Sequence, residues 1–242
     1  MYEGDLLDDK RHGFGQITYD NGRSYIGEWR NDQRHGRGVE KFSNGTSYRG
    51  EYAFGLFEGI GSYTWAGAGD EKYFGNWVAG AKIGQGVWQS ANGERYEGDF
   101  QDGKFHGWGT FKWETGESYE GEWQHGKKHG KGIERYANGD EYVGSNNQGK
   151  PHGVGRYAYT NGNKYIGNFD AGRKSGFGKI ELYNGNKYIG EFKDDYKDGK
   201  GGFYWATGNK YLGEFQRDKR NGFGVMVWKD KTSYKGQWND GI

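Results

Sequence analysis

A tyrosine returns at Tyr2, Tyr25, Tyr48, Tyr73, Tyr96, Tyr119, Tyr142, Tyr165, Tyr188, Tyr211 and Tyr234, each time with a glycine two positions after it. Nine of the ten steps are 23 residues; the tenth, across "TWAGAGDEKYFG", is 25. A fixed period of this size means one supersecondary unit copied in tandem, because so short a unit cannot bury an apolar face alone and must stack on its neighbours. Residues 2–242 therefore read as a single array of ten full repeats plus the opening strand of an eleventh, with two extra residues in one turn near 66–72 and no linker.

Each repeat reads as two strands and two turns. Alternation in "SYIGEW" puts Tyr25, Gly27 and Trp29 on one face and Ile26 and Glu28 on the other. A polar loop leads to "HGRGVEKF", where Gly36, Gly38 and Phe42 share a face, and Asn44-Gly45 closes the unit. Asn-Gly recurs at Asn21-Gly22, Asn92-Gly93, Asn138-Gly139, Asn161-Gly162 and Asn184-Gly185. Its expected form is the type I′ turn, which needs positive φ at both central residues. Thr115-Gly116 and Thr207-Gly208 replace it twice, and Gly67-Ala68 and Asp230-Lys231 depart from it. Because Gly36 and Gly38 lack side chains, a ring from a neighbouring strand is expected to lie over their bare backbone.

Composition bears on how thick the fold can be. Hydrophobic residues make up 32% of the chain and mean hydropathy is -1.16, yet aromatics alone are 18%, so most of the apolar content is rings and little aliphatic material is left for a two-layer core. The expected fold class is all-β, an elongated single-layer antiparallel sheet of tandem 23-residue β-hairpin repeats. About 21 strands, each turned about 20° from the last, make the sheet twisted and grooved. The groove is expected to be lined by Tyr25, Trp29, Tyr48, Tyr96, Phe100, Tyr119, Trp123, Tyr165 and Phe169.

Charge and cysteine content narrow the partners. Lys and Arg number 34 against 33 Asp and Glu, interleaved to a net +1, which gives no footprint for nucleic acid. The absence of cysteine excludes disulfides and thiolate metal sites and fits a reducing cytosol. The opening "MYEGDLLDDKRHG" lacks the apolar core of a leader, and no apolar run has the length of a membrane helix.

The candidate chemistry disperses along the array. His12, His35, His106, His129 and His152 hold the same place in different repeats. Successive copies are about 9.6 Å apart, too far to share a metal whose ligands lie about 2 Å from it. His125 and His129 are close in sequence but have no evident third ligand, so the histidines are expected to hydrogen-bond at strand starts. Asp5, Glu28, Glu51, Asp99, Glu122, Glu191 and Glu214 form a ladder that singles out no pair of the kind a glycosidase needs, and they are expected to pair with Lys and Arg across strands. "GSNNQGKPHG" has the glycine spacing of a phosphate loop, but Pro151 replaces the hydroxyl residue and no helix follows. No catalytic residue, metal or cofactor is assigned, and the chain is expected not to be an enzyme.

Tyr-x-Gly-Glu-Trp/Phe, a short loop, His-Gly-x-Gly, an aromatic and Asn-Gly together resemble the MORN repeat (membrane occupation and recognition nexus) over residues 2–242. Asn146 departs from it, standing where Trp or Phe belongs. The resemblance implies an elongated single-layer sheet with a groove, and kinship with radial-spoke head proteins, junctophilin membrane tethers, protist cytoskeletal scaffolds and a myosin-tail adaptor. It implies a protein–protein interaction scaffold, cytoplasmic and cytoskeletal or ciliary, binding extended or helical peptide segments of other proteins. The alternative it carries is a membrane-apposed tether for phospholipid headgroups, against which the near-zero net charge weighs.

Two further expectations concern surfaces. The array starts on a repeat strand and stops inside an incomplete repeat, so either the chain is a segment of a longer protein or its open terminal strands self-associate by edge addition. The loops in "YAFGLFEGIG" and "WVAGAKIGQG" place Phe54, Leu56, Phe57, Val78 and Ile83 along one edge, with Phe105 in the next repeat. These residues form either an apolar strip for a partner or loops that fold back to cover the sheet.

Overall fold

The computed structural model describes residues 1–67, 69 and 71–242. Among the described residues it contains 21 β-strands and no helix, and the strands belong to one antiparallel sheet. The chain divides into two compact units, Met1–Lys127 and Lys128–Ile242. In the Gly67-Ala68 turn, Ala68 lies outside the described residues, as does Asp70.

The repeat at Tyr25 shows how the first unit is built. Strand Ser24–Arg30 pairs with Gln33–Lys41 across a two-residue loop, and Gln33–Lys41 pairs with Ser47–Ala53 of the next repeat. The loop residues Asn31 and Asp32 have φ of 49° and 66°, so the two consecutive left-handed residues of a type I′ hairpin occur here. Asn-Gly does not make that turn, which corrects the expectation. At Asn21-Gly22 the glycine is left-handed, with φ of 82°, and the asparagine is not. Gly22 N–H donates to the Tyr19 carbonyl at 2.9 Å, Tyr19 N–H to the Arg23 carbonyl at 2.8 Å, and Asn21 Oδ1 accepts from Arg23 N–H at 3.1 Å. The asparagine is there for its short side-chain acceptor, which holds a longer loop closed.

Register then shifts inside each hairpin. Gly27 faces Gly38, but Trp29 faces Arg34, so the second strand takes more residues over this stretch and bulges. Gly36 sits in the bulge with φ of 53°, where a side chain would strain the backbone. Beyond the bulge the glycines fall opposite one another. Gly4, Gly15, Gly27, Gly38, Gly50, Gly61 and Gly75 pair in succession, and the row continues through Gly86, Gly98 and Gly109 to Gly121. In the second unit an equivalent row runs from Gly132 through Gly144, Gly155 and Gly167 to Gly236. Each unit is thus a pleated sheet with a bare rail of backbone across its strands.

One face of the rail is filled by rings. A Cβ built on Gly38 would stand 2.5 Å from Tyr25 Cε2, so the tyrosine lies down in the space that glycine leaves. At Gly36 the neighbour is the Glu28 carboxylate and not a ring, which corrects the expectation for that glycine. The Tyr25 hydroxyl donates to the Glu28 carbonyl at 2.9 Å, and Tyr48, Tyr96 and Tyr119 repeat that bond at 2.9 to 3.0 Å. Edge-to-face pairs then link the repeats of the first unit: Tyr2 with Trp29 at 5.8 Å, Trp29 with Tyr25 at 5.0 Å, Tyr25 with Tyr52 at 5.3 Å, and onward to Trp123 with Tyr119 at 5.2 Å. Such pairs contribute about 0.5–1.5 kcal/mol each beyond area burial. The second unit has its own chain of rings from Tyr142 with Phe169 at 5.1 Å to Tyr234 with Trp238 at 5.3 Å.

Candidate functional site

The two faces of the sheet differ in what they leave open. On the tyrosine face, Tyr25, Trp29, Tyr48, Tyr96, Phe100, Tyr119, Trp123, Tyr165 and Phe169 are all buried, the least so at 6% exposure. The expectation that these rings line an open groove does not describe their surroundings: they are the packed core. Burial also pushes the hydroxyl pKa of Tyr73 and Tyr142 up to about 12 and raises those of Tyr25, Tyr48, Tyr96 and Tyr165 well above the usual range. Glu40, at 1% exposure, is carried on this face by Arg23, Arg34 and the Tyr52 hydroxyl, an anchoring network that the repeat pattern gives no reason to expect.

The position that covers the tyrosines explains the apolar loops. Phe57 stacks on Tyr48 and Phe105 on Tyr96, each at 3.9 Å and 16°. The same place in other repeats holds Arg11, 4.3 Å over Trp29, and Lys82, 4.9 Å over Tyr73. Phe57 and Phe105 are therefore lids on the core, and they leave the expected edge. Phe54, Leu56, Val78 and Ile83 stay exposed, between 40% and 72%.

The opposite face is where the sheet is open. Residues on either side of each rail glycine rise from it as two rows, and in the first unit Phe14, Ile26, Ile60 and Phe74 are 57%, 44%, 54% and 57% exposed. Between the rows lies a depression of about 580 Å3 floored by Gly27, Gly38 and Gly50 and walled by Phe14, Ile26, Val39, Ile60, Arg37, Arg49 and Glu51. A second depression of about 270 Å3 continues it from Ile60 to Phe74, Val87 and Glu97 over Gly75 and Gly86. The second unit has its own, about 330 Å3, between Leu212, Phe223 and Val225 over Gly201, Gly213 and Gly224.

The carboxylate ladder flanks this groove but has another task. Asp5 accepts from Phe14 N–H at 2.9 Å, Glu28 from Arg37 N–H at 2.8 Å and Asp99 from Trp108 N–H at 3.0 Å. Where the acid is replaced by Asn76 or Asn168, the amide donates instead to the Gln85 or Phe177 carbonyl. At Asp5, Glu28 and Asp99 the acid holds the bulge rather than a cross-strand Lys or Arg, which corrects the expectation for those positions. The histidines divide: His152 Nδ1 lies 3.3 Å from Asp170, whereas Nδ1 of His12 and His106 is buried without a partner. Among the described residues no group of three His, Cys, Asp or Glu is placed to hold a metal ion.

Ten stretches match the model of the MORN repeat: residues 2–22, 25–47, 48–67, 73–95, 96–118, 119–141, 142–164, 165–187, 188–210 and 211–233. The chain belongs to the MORN repeat family. MORN repeats point to interaction with proteins or membranes. No curated protein matches the chain. Among solved structures the MORN array is similar to the wild-type TCP10 domain of Danio rerio CPAP, at 15% identity and a TM-score of 0.43 over 82% of this chain and 93% of that one. It is also similar to the Drosophila melanogaster SAS-4 (dCPAP) TCP domain, solved with a proline-rich motif of Ana2 (dSTIL), at 15% identity and a TM-score of 0.40 over 64% of this chain and 85% of that one. Superpositions this loose equate no residue of the array with a residue of those domains.

Proposed function

We propose that this MORN array is a non-enzymatic scaffold for protein–protein interaction, associated with the cytoskeleton or the axoneme, which docks segments of partner proteins in the glycine-floored groove. The observation that carries this reading is the run of exposed apolar side chains, Phe14, Ile26, Ile60 and Phe74, beside backbone that no side chain covers. Contiguous exposed apolar surface on a folded chain marks an interaction site. The non-enzymatic part is supported by the carboxylates, because Asp5, Glu28 and Asp99 are engaged as acceptors for main-chain amides. Phe54, Leu56, Val78 and Ile83 form a second, smaller contact at the loops. The cytoskeletal assignment draws on the cytoskeletal MORN-repeat proteins that the sequence resembles, and the balanced charge favours protein partners over anionic lipid.

A photo-crosslinking side chain in place of Ile60 tests the reading in cells. The expected result is covalent capture of defined segments of cytoskeletal proteins, with no capture from the same group at Tyr183, which is 76% exposed but outside the groove. Pelleting of the array with anionic liposomes, together with no protein captured at Ile60, would overturn it in favour of a membrane tether.

A further inference from the structure

The groove of the first unit has a charge pattern that narrows what it holds. Among the described residues, neither the Arg37 nor the Arg49 guanidinium has a hydrogen bond or an ion pair, although both line the depression. Among the described residues, neither Glu28 nor Glu51, the cross-strand neighbour of Arg37, forms an ion pair with either guanidinium. Glu28 accepts from Arg37 N–H at 2.8 Å, and Glu51 lies against Gly59 in the equivalent bulge. The unsatisfied donors over this stretch of floor are therefore cationic, and they stand on neighbouring strands and on opposite walls, with Gly38 facing Gly50 between them.

Spacing sets the rest. The walls rise from residues two apart on one strand, about 6.7 Å, which admits an extended chain but not a helix about 10 Å across. Strands are about 4.8 Å apart, so Ile26 and Ile60 each lie about one and a half strand spacings, roughly 7 Å, from the point between Gly38 and Gly50. That separation matches the step between alternate side chains of an extended peptide, about 6.7 Å.

Resting on the reading of the groove as a docking site for protein segments, we propose that it binds an extended peptide with the pattern apolar–x–acidic–x–apolar. The central carboxylate lies between Arg37 and Arg49, and the two apolar side chains rest against Ile26 and Ile60 over bare glycine backbone. Paired guanidinium donors suit a carboxylate, and the apolar side chains supply the area that a solvent-exposed charge pair does not.

Selection of a random peptide display library on the full chain tests this. The expected outcome is enrichment of Asp or Glu flanked two residues away on each side by Leu, Ile, Val or Phe. With Arg37→Glu and Arg49→Glu together, the enriched central residue becomes Lys or Arg. With Arg37→Gln and Arg49→Gln, an enriched acidic peptide binds about tenfold more weakly by fluorescence titration. Circular dichroism confirms that each variant keeps its sheet. No enrichment, a neutral or basic centre, or an acidic preference unchanged in both double variants would overturn the proposal. Ile60→Glu separates the two levels. Capture unaffected by Ile60→Glu sinks the docking groove itself, whereas capture lost in Ile60→Glu but without an acidic centre sinks only the charge-directed pattern.

Discussion

At the scale of single residues, the array works by pairing a missing side chain with a present one. Gly38→Ala pushes a methyl into the Tyr25 ring and is expected to cost about 1–3 kcal/mol. Tyr25→Phe keeps the ring and loses the 2.9 Å bond to the Glu28 carbonyl, a cost of about 1 kcal/mol. Urea denaturation of the two variants gives their order, and the reverse order would mean that the hydroxyl outweighs the close approach. Phe57 and Phe54 make a second contrast. Phe57→Glu puts a carboxylate against Tyr48 and lowers the melting temperature steeply, while Phe54→Glu, at a position 72% exposed, stays within about 0.5 kcal/mol of the parent. This difference was legible in part. Phe57 holds the place that Arg34 holds one repeat earlier, and aligning the repeats marks it as a lid, whereas reading the loop alone makes it look like its exposed neighbour. The Tyr25–Gly27–Trp29 face was legible from alternation, but its burial was not. A single sheet suggests rings open to a partner, and only their edge-to-face interlocking over glycine shows how one layer closes its own core.

At the scale of strands and turns, the sequence showed where the chain reverses but not by which geometry. Asn-Gly carries the I′ signal, yet the left-handed pairs fall in the other loop of the repeat, at Asn31-Asp32 and Asp194-Asp195 without a glycine and at Phe54-Gly55, Asp102-Gly103 and His125-Gly126 with one. Hairpin twist and the preceding repeat decide this: Asp32 N–H reaches the Arg11 carbonyl at 3.0 Å, and Asp195 N–H reaches the Lys174 carbonyl at 3.0 Å. Asn146 is the element-level flaw that the pattern did reveal. It is 3% exposed, both of its amide atoms lack partners, and it stands where Phe169 packs at 5.1 Å on Tyr165 in the next repeat. Asn146→Phe removes an unsatisfied amide worth about 1–3 kcal/mol and adds a ring beside Tyr142, so the variant is expected to melt higher. A lower melting temperature would show that the site has no room for a ring.

At the scale of the whole molecule, the tyrosine rows make stability depend on alkaline pH. Tyr73 and Tyr142 are held un-ionised up to about 12 by burial, against about 10 in an unfolded chain. A raised folded-state pKa means that this contribution is complete below pH 10 and is lost as pH climbs toward 12, because only the unfolded chain ionises there. Loss of sheet circular dichroism is expected to coincide with ionisation of Tyr73 and Tyr142, followed by site-specific labelling of their rings in NMR, over that window; their ionisation near pH 10 with the sheet intact would contradict it. The array's capacity to bind turns on which face is closed and which is open. Hydroxyl-radical footprinting of the native chain, read by mass spectrometry, measures this directly. Rapid oxidation of Phe14, Ile26, Ile60 and Phe74, with Tyr25, Tyr48, Tyr73 and Tyr96 protected until the chain is unfolded, is the predicted result. Fast oxidation of the four tyrosines in the native state, with the outer row protected, would contradict it.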